Sequence, residues 1–469
     1  MHKQIYIFLT EGCALTPNVL GSAPERIKII VHRYLEVLTP TSISQIEVAM
    51  ATVAHPRKKG YRTIRLPLAE SEYDHFLSDR AYANARLDEL YEDFPELFPD
   101  AFPWGYTLYG FTEPSIKQDI RCRRIRLEQG HAVFTIAPAF VMPYMTGRTQ
   151  EVDDALFLMR FHVPCWAIAH VFGGDEMYWY RLEQGLGRFS IVGTTVKHPE
   201  RLPQDLVADE KHSWLKGQRI YIATTAAKDC ILGASVSLSA SQTDLEKAYG
   251  IFASEAKALD ADYAPDTVNT DGWPATQNAW QTLFQQITVI LCFLHAFIKI
   301  RDRAKKAFGE LGQEVQKRVW DAYHAPSKRA FAQRLRRLKA WASEALPASE
   351  MKQKTLDLCD KRDAFSPSYD HPFAHRTSNM VDRLMRFLDR AFFNAQYFHG
   401  LPASAENRVR ALALLWNFCP SSPQTVKKHG GKACPAERLN GQWYAENWLE
   451  NLLVSGSMNG VEMDPQNPL

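Results

Sequence analysis

The sequence predicts an α/β protein: a mixed five-stranded sheet carrying a helical insertion, preceded by a helix-turn-helix and an α+β N-terminal region. Three observations lead there. Three short alternating strands follow one another between residues 204 and 238. Helical and strand-like runs then take turns up to about residue 300, and from 301 to 370 the pattern turns helical and basic. The expected divisions are 1–150 (α+β), 151–200 (helix-turn-helix), 201–300 (first part of the core), 301–370 (insertion) and 371–469 (completion of the core and C-terminal helices).

The composition is that of an ordinary folded chain. Of 469 residues, 46% are hydrophobic and 23% charged, which excludes a disordered tail protein. A net charge of +2, from 55 basic and 53 acidic residues, neither requires nor excludes nucleic acid, because basic groups can cluster locally. Eight cysteines without a C-x-x-C pair argue against a disulfide framework. The apolar start, Met1 to Thr10, lacks a full signal pattern, and the greasiest run, Ile287 to Ile298, falls short of the roughly 20 residues a bilayer requires. A cytoplasmic protein with no membrane partner is expected, nucleoid-associated when active.

In the N-terminal region, helices are expected over 25–38 and 72–92, with a basic loop, His55 to Gly60, between them. Phe94 to Phe111 has the Pro and aromatic content of an irregular connection. Ile120 to Leu127 alternates basic and apolar residues and predicts a strand with one wet, positive face, either solvated or touching nucleic acid. Further on, Asp154 to Phe161 predicts an amphipathic helix, and Ala169 followed by Gly173 has the spacing of a helix-turn-helix, a small residue for close crossing and a glycine for the turn. Tyr178, Tyr180, Arg181 and Gln184 then lie on the second helix, where they could reach DNA; a plain helical hairpin would use the same signals.

In the core, Leu206–Trp214, Arg219–Ala226 and Ile231–Leu238 predict an antiparallel meander. Thr243 and Glu246 have the form of a capping box for a helix with Leu245, Ala248, Tyr249, Phe252, Ala256 and Leu259 on one face. A short strand ending at Asp271, a helix, a strand over Ile287–Cys292 and a basic helix from Phe297 to Lys306 complete the order βββαβαβα. That is the succession of elements in a ribonuclease-H-like fold. It sets Asp209 on the first strand and Asp271 at the end of the fourth, which are neighbours in such a sheet. Two carboxylates converging there suit hard divalent cations and in-line phosphoryl transfer.

Four motifs then occur in order: Asp271-Gly272-Trp273-Pro274; Cys292 with His295; Thr377 to Arg383; and a tail with Asn417-Phe418-Cys419-Pro420, Lys427 to Lys432 and Cys434 to Gly441. Together they resemble the DDE/D transposases of bacterial insertion sequences, the mutator-like and related families. The resemblance covers residues 200–300 and 370–445 and does not reach the first 140. It implies a third acid in a Thr-x-Asn-x-x-acid-Arg setting, here Asp382, where many relatives carry glutamate. Asp389, two turns along the helix, is the second candidate. Cys292 and His295 are expected to pack and hydrogen-bond beside the site rather than hold zinc, which needs about four ligands.

The resemblance also implies a helical insertion between the second and third acids. In the basic helix there, Lys328 to Lys339, Phe331, Leu335 and Leu338 share a face while Arg334 and Arg337 could hold DNA phosphates; a solvated surface accounts for the same charges. Trp320 and Trp341 are expected in its core. The function implied is metal-dependent cleavage of transposon ends and strand transfer, with two Mg²⁺ (or Mn²⁺) ions on Asp209, Asp271 and Asp382. The implied partners are terminal inverted repeats, target DNA and a second copy of the chain. A DNA-binding regulator with a disabled catalytic domain, or another ribonuclease-H-like nuclease, are the alternatives.

Overall fold

The computed structural model describes residues 60–116, 118–304 and 309–460. The apolar start, the helix expected over 25–38 and the basic loop from His55 to Lys59 lie outside the described residues. The first described domain runs from strand β1 (Thr63–Leu66) through helices α1 (Glu70–Ser78) and α2 (Arg80–Asp93) to strands β2 (Tyr106–Phe111), β3 (Arg123–Leu127) and β4 (Val133–Pro138). The sheet order is β1-β4-β3-β2, with β1 parallel to β4 and the other pairs antiparallel. The single helix expected over 72–92 is broken at Asp79. Its carboxylate accepts from the amides of Ala81 (2.8 Å) and Tyr82 (3.2 Å), capping a second helix rather than continuing the first. The break lets Phe76, Ala83, Leu87 and Leu90 meet Ile64, Ile125 and Ile136 in one core. The stretch expected to be irregular becomes β2 from Tyr106 onward, because its alternation pairs with β3.

Helices α3 (Thr149–Arg160), α4 (Cys165–Phe172), α5 (Glu176–Leu186) and α6 (Ile191–Thr195) follow. The α4–α5 turn is made by Gly173 and Gly174, both at φ near +80° (79° and 78°), which favours glycine. Asp175 caps α5 through the amide of Met177.

The larger sheet contains β5 (Asp205–Leu215), β6 (Gln218–Ala227), β7 (Cys230–Ser237), β8 (Thr267–Thr270) and β9 (Thr288–Leu291) in the order β7-β6-β5-β8-β9. The first three strands are antiparallel, and β5, β8 and β9 are mutually parallel in sequence across the sheet. Between β7 and β8, helix α7 (Gln242–Leu259) is capped by Ser241, two residues before the expected Thr243, and α8 (Pro274–Leu283) follows β8. Tyr249, Phe252 and Trp280 from these helices cover the face carrying Leu206, Ala208 and Val268.

After β9 come α9 (Phe293–Ala304), α10 (Gly309–Tyr323), α11 (Lys328–Ala345), α12 (Glu350–Asp360) and α13 (Arg362–Phe365), with a core of their own around Phe297, Val319, Phe331 and Leu338; Trp320 and Trp341 pack against it, half-buried. The chain then returns as α14 (Asn379–Asn394) and α15 (Pro402–Phe418), which close the other sheet face over Val207, Ile220 and Ile222. The sheet is therefore buried on both sides, and the molecule is mixed α/β.

The tail, α16 (Pro423–Lys428), α17 (Pro435–Asn440) and α18 (Trp448–Ser455), ties the parts together. Leu449 and Leu452 pack with α3 and α5, while Val454 and Met458 enter the N-terminal core. The Asn417 of the tail motif is fully buried and brackets β7: its side chain accepts from the Ile231 amide (2.9 Å) and donates to the Ile231 carbonyl (2.8 Å) and the Thr195 hydroxyl (2.9 Å). No helix among the described residues is long and apolar enough to cross a membrane.

Candidate active site

Parallel pairing of β5 with β8 sets the acids. Asp205 lies opposite Thr267 and Val207 opposite Asn269, and continuing that register by two residues brings Asp209 alongside Asp271. Asp271 ends its strand: its carboxylate accepts from the Trp273 amide at 3.0 Å. Gly272 makes the turn at φ +94°, where a Cβ would lie 2.3 Å from the Leu291 side chain, so the motif needs glycine there. Asp382 comes from the first turn of α14, a helix end that favours negative charge, and accepts from the Ser378 hydroxyl at 3.3 Å.

Asp209 feels the charge of both other aspartates. Burial, then the charge of Asp271 and, more weakly, that of Asp382, push the Asp209 carboxyl up to about 6. None of the three has an ion-pair partner within 4.0 Å among the described residues. Nor is any set of three His, Cys, Asp or Glu side chains among the described residues already gathered to metal-ligand spacing.

Cys292 and His295 hold this arrangement. The Cys292 sulfur receives the Ser378 amide at 3.2 Å and lies 3.3 Å from the Ser378 hydroxyl, which in turn reaches Asp382. Around them Cys292 N donates to Thr270 O, Phe293 N to Arg376 O and the Asn269 amide group to His375 O. The two ends of the helical insertion are thus clamped beside β8, and the clamp carries the third acid to the first two. Cys292, against opposing burial and together with Asp209 and Asp382, raises His295 to about 9. The Nδ1 of His295 is buried and has no hydrogen-bond partner among the described residues.

Asp389, the second candidate, is exposed and bound to Lys211 at 2.6 Å. It does not couple to Asp209, and Asp382 does. Three residues of this neighbourhood escape sequence reasoning: Ser378, Lys211 and Glu210. Glu210 points to the opposite sheet face, accepts from Tyr249 (2.7 Å) and Thr276 (2.5 Å), and is driven up to about 7 by burial. The strand's alternation separates it from Asp209, a signal readable only once the register is known.

Of the candidate DNA contacts, Tyr178 donates to the Thr146 carbonyl (2.7 Å), and Gln184 bonds Tyr180 and the Ser404 carbonyl (2.7 and 3.1 Å). Both side chains thus seat α5 within the fold, and Arg181 is exposed. In the insertion, Arg334 donates to the Asp321 carbonyl and Arg337 is exposed. Compared with known protein families and with curated proteins, the chain matches none.

Proposed function

We propose that the chain is a DDD transposase with a ribonuclease-H-like catalytic domain, cleaving DNA ends and joining them to a target. The observation that carries this is that Asp209 feels the charge of both Asp271, one residue past the end of β8, and Asp382 from α14, with β5 and β8 paired in parallel just before the first two. The fold assignment rests on the strand order β7-β6-β5-β8-β9, an antiparallel meander joined to two parallel strands with helices on both faces.

The donor set fits two Mg²⁺ or Mn²⁺ ions. Carboxylate oxygens suit hard cations, and a buried Asp209 repelled by Asp271 and Asp382, with no ion-pair partner among the described residues, would be stabilised by positive charge. Asp209, Asp271 and Asp382 would hold the ions, which when bound supply Lewis-acid charge to attacking and leaving oxygens. Asp209 is fixed within β5, and Asp271 sits one residue beyond β8, held by its bond from the Trp273 amide. Asp382 depends on the Cys292–Ser378 clamp to reach them.

The reaction has two like steps. Water attacks the phosphodiester at the element's end and the 3′-oxygen leaves as a hydroxyl; that 3′-hydroxyl then attacks a target phosphodiester, whose own 3′-oxygen leaves. Exposed basic side chains such as Arg181 and Arg337 supply DNA contacts, the terminal inverted repeats and target are the partners, and a second copy of the chain handles the second end. The test uses a supercoiled plasmid carrying both element ends with Mg²⁺. Asp209→Ala, Asp271→Ala and Asp382→Ala should each abolish nicking and joining while sparing end binding. Strand transfer retained by Asp209→Ala and Asp271→Ala would overturn the assignment.

A further inference from the structure

We propose that the open face of the N-terminal sheet is a duplex-DNA-binding surface built on Arg124 and Arg126, which names a second DNA contact of the proposed transposase and rests on that function only for the identity of the DNA. The alternating basic stretch divides its arginines between the two faces of β3. Arg123 turns inward, is 3% exposed, and donates to the carbonyls of Phe76 (3.0 Å) and Leu77 (2.5 Å) at the end of α1. It is a structural arginine.

Arg124 and Arg126 project from the other face, alternating with the buried Ile125 and Leu127. The register sets Thr135 beside Arg124, and Val133 and Thr107 beside Arg126. Both guanidinium groups lie over the Tyr109 ring, at 3.9 Å for Arg126 and 5.6 Å for Arg124. Neither has a carboxylate within ion-pair distance among the described residues, and the Nε of each is buried without a hydrogen-bond partner. Two positive charges are thus held stiffly on a ring, uncompensated, with no acid on the strand positions that share their face; Glu128 bounds the patch beyond the end of β3.

Fixed, unpaired guanidinium forks fit a polyanion that offers phosphate or guanine acceptors. Duplex DNA is favoured over a single strand by Tyr109. A single strand is held by stacking bases on free aromatic rings, and this ring already stacks against Arg126. The threonines at 107 and 135 offer small hydroxyl and methyl contacts beside the arginines.

The test is fluorescence polarisation of the full chain on a labelled 40-bp duplex bearing an element end, across 50–200 mM KCl. Arg124→Ala/Arg126→Ala should weaken binding at least about tenfold and flatten the log–log salt slope by about 2, one counterion-release contribution per lost contact. Thr107→Glu, which adds a carboxylate at an exposed position without removing packing, should weaken binding in the same direction. Unchanged affinity and slope in both variants would overturn the proposal, as would a single strand competing better than duplex. Outcomes separate the two claims. Loss of binding in these variants, with no Asp209-dependent cleavage by the parent chain, sinks the transposase and keeps this surface. Asp209-dependent cleavage with both variants binding normally does the reverse.

Discussion

Arg410 and Glu255 offer the sharpest test of how the core is held. Arg410 is 2% exposed and makes three contacts that join separate parts of the fold: Nε to Gly187 O (3.0 Å), Nη2 to Phe189 O (2.8 Å) and Nη2 to Glu255 Oε1 (2.5 Å). Glu255 on α7 also accepts from the Val192 amide at 3.1 Å. Arg410→Met would leave a buried carboxylate and two carbonyls without their donor, which costs about 3–5 kcal/mol. Glu255→Met should cost a similar amount, by stranding the guanidinium. The double variant removes both charges, so its loss should fall short of the sum by about 2 kcal/mol or more. Urea unfolding of the full chain, followed by tryptophan fluorescence, completes the cycle. Additive losses, or an Arg410→Met variant within about 1 kcal/mol of the parent, would refute the view that this pair is a desolvated link between α15, α7 and the chain around Gly187.

Three further outcomes are expected. Asn417→Ala removes three buried hydrogen bonds to Ile231 and Thr195 and should cost about 3 kcal/mol in the same unfolding assay, where under 1 kcal/mol would contradict its bracketing role. Burial holds the Lys197 ammonium down to about 8, so the unfolded chain keeps its proton longer as pH rises. Stability relative to Lys197→Met should therefore climb between about pH 8 and 10.5, by up to about 3 kcal/mol, and a flat difference would contradict it. Asp389→Asn should keep strand transfer within a few-fold of the parent, since Asp389 serves Lys211, whereas Asp382→Asn should abolish it.

The order of the core elements was legible because each carries its own period: alternation in β5 to β7, a 3.6-residue repeat in α7, and glycine at a turn where a Cβ has no room, Gly272. The placement of Asp209 within β5 and of Asp271 just past the end of β8 was legible for the same reason. What lay hidden depends on contacts distant in sequence. Ser378 matters because Cys292 meets it across 86 residues of chain, and Glu210 differs from its neighbour Asp209 only through which helix packs over it. Asp79 broke an expected helix because a local carboxylate cap competes well with helix continuation. Tyr178 and Gln184 looked free to reach DNA on a helical wheel, but the residues that occupy them, Thr146 and Ser404, come from elsewhere in the chain.

The central claim is that Asp209, Asp271 and Asp382 form one divalent-cation site. Crystals of the full chain soaked in Mn²⁺ and read for anomalous density test it directly. The account predicts density within ligand distance, about 2.2 Å, of carboxylate oxygens from all three aspartates, lost in Asp209→Ala crystals. Manganese absent from that space at millimolar concentration, with Asp209 and Asp271 pointing apart, would contradict it.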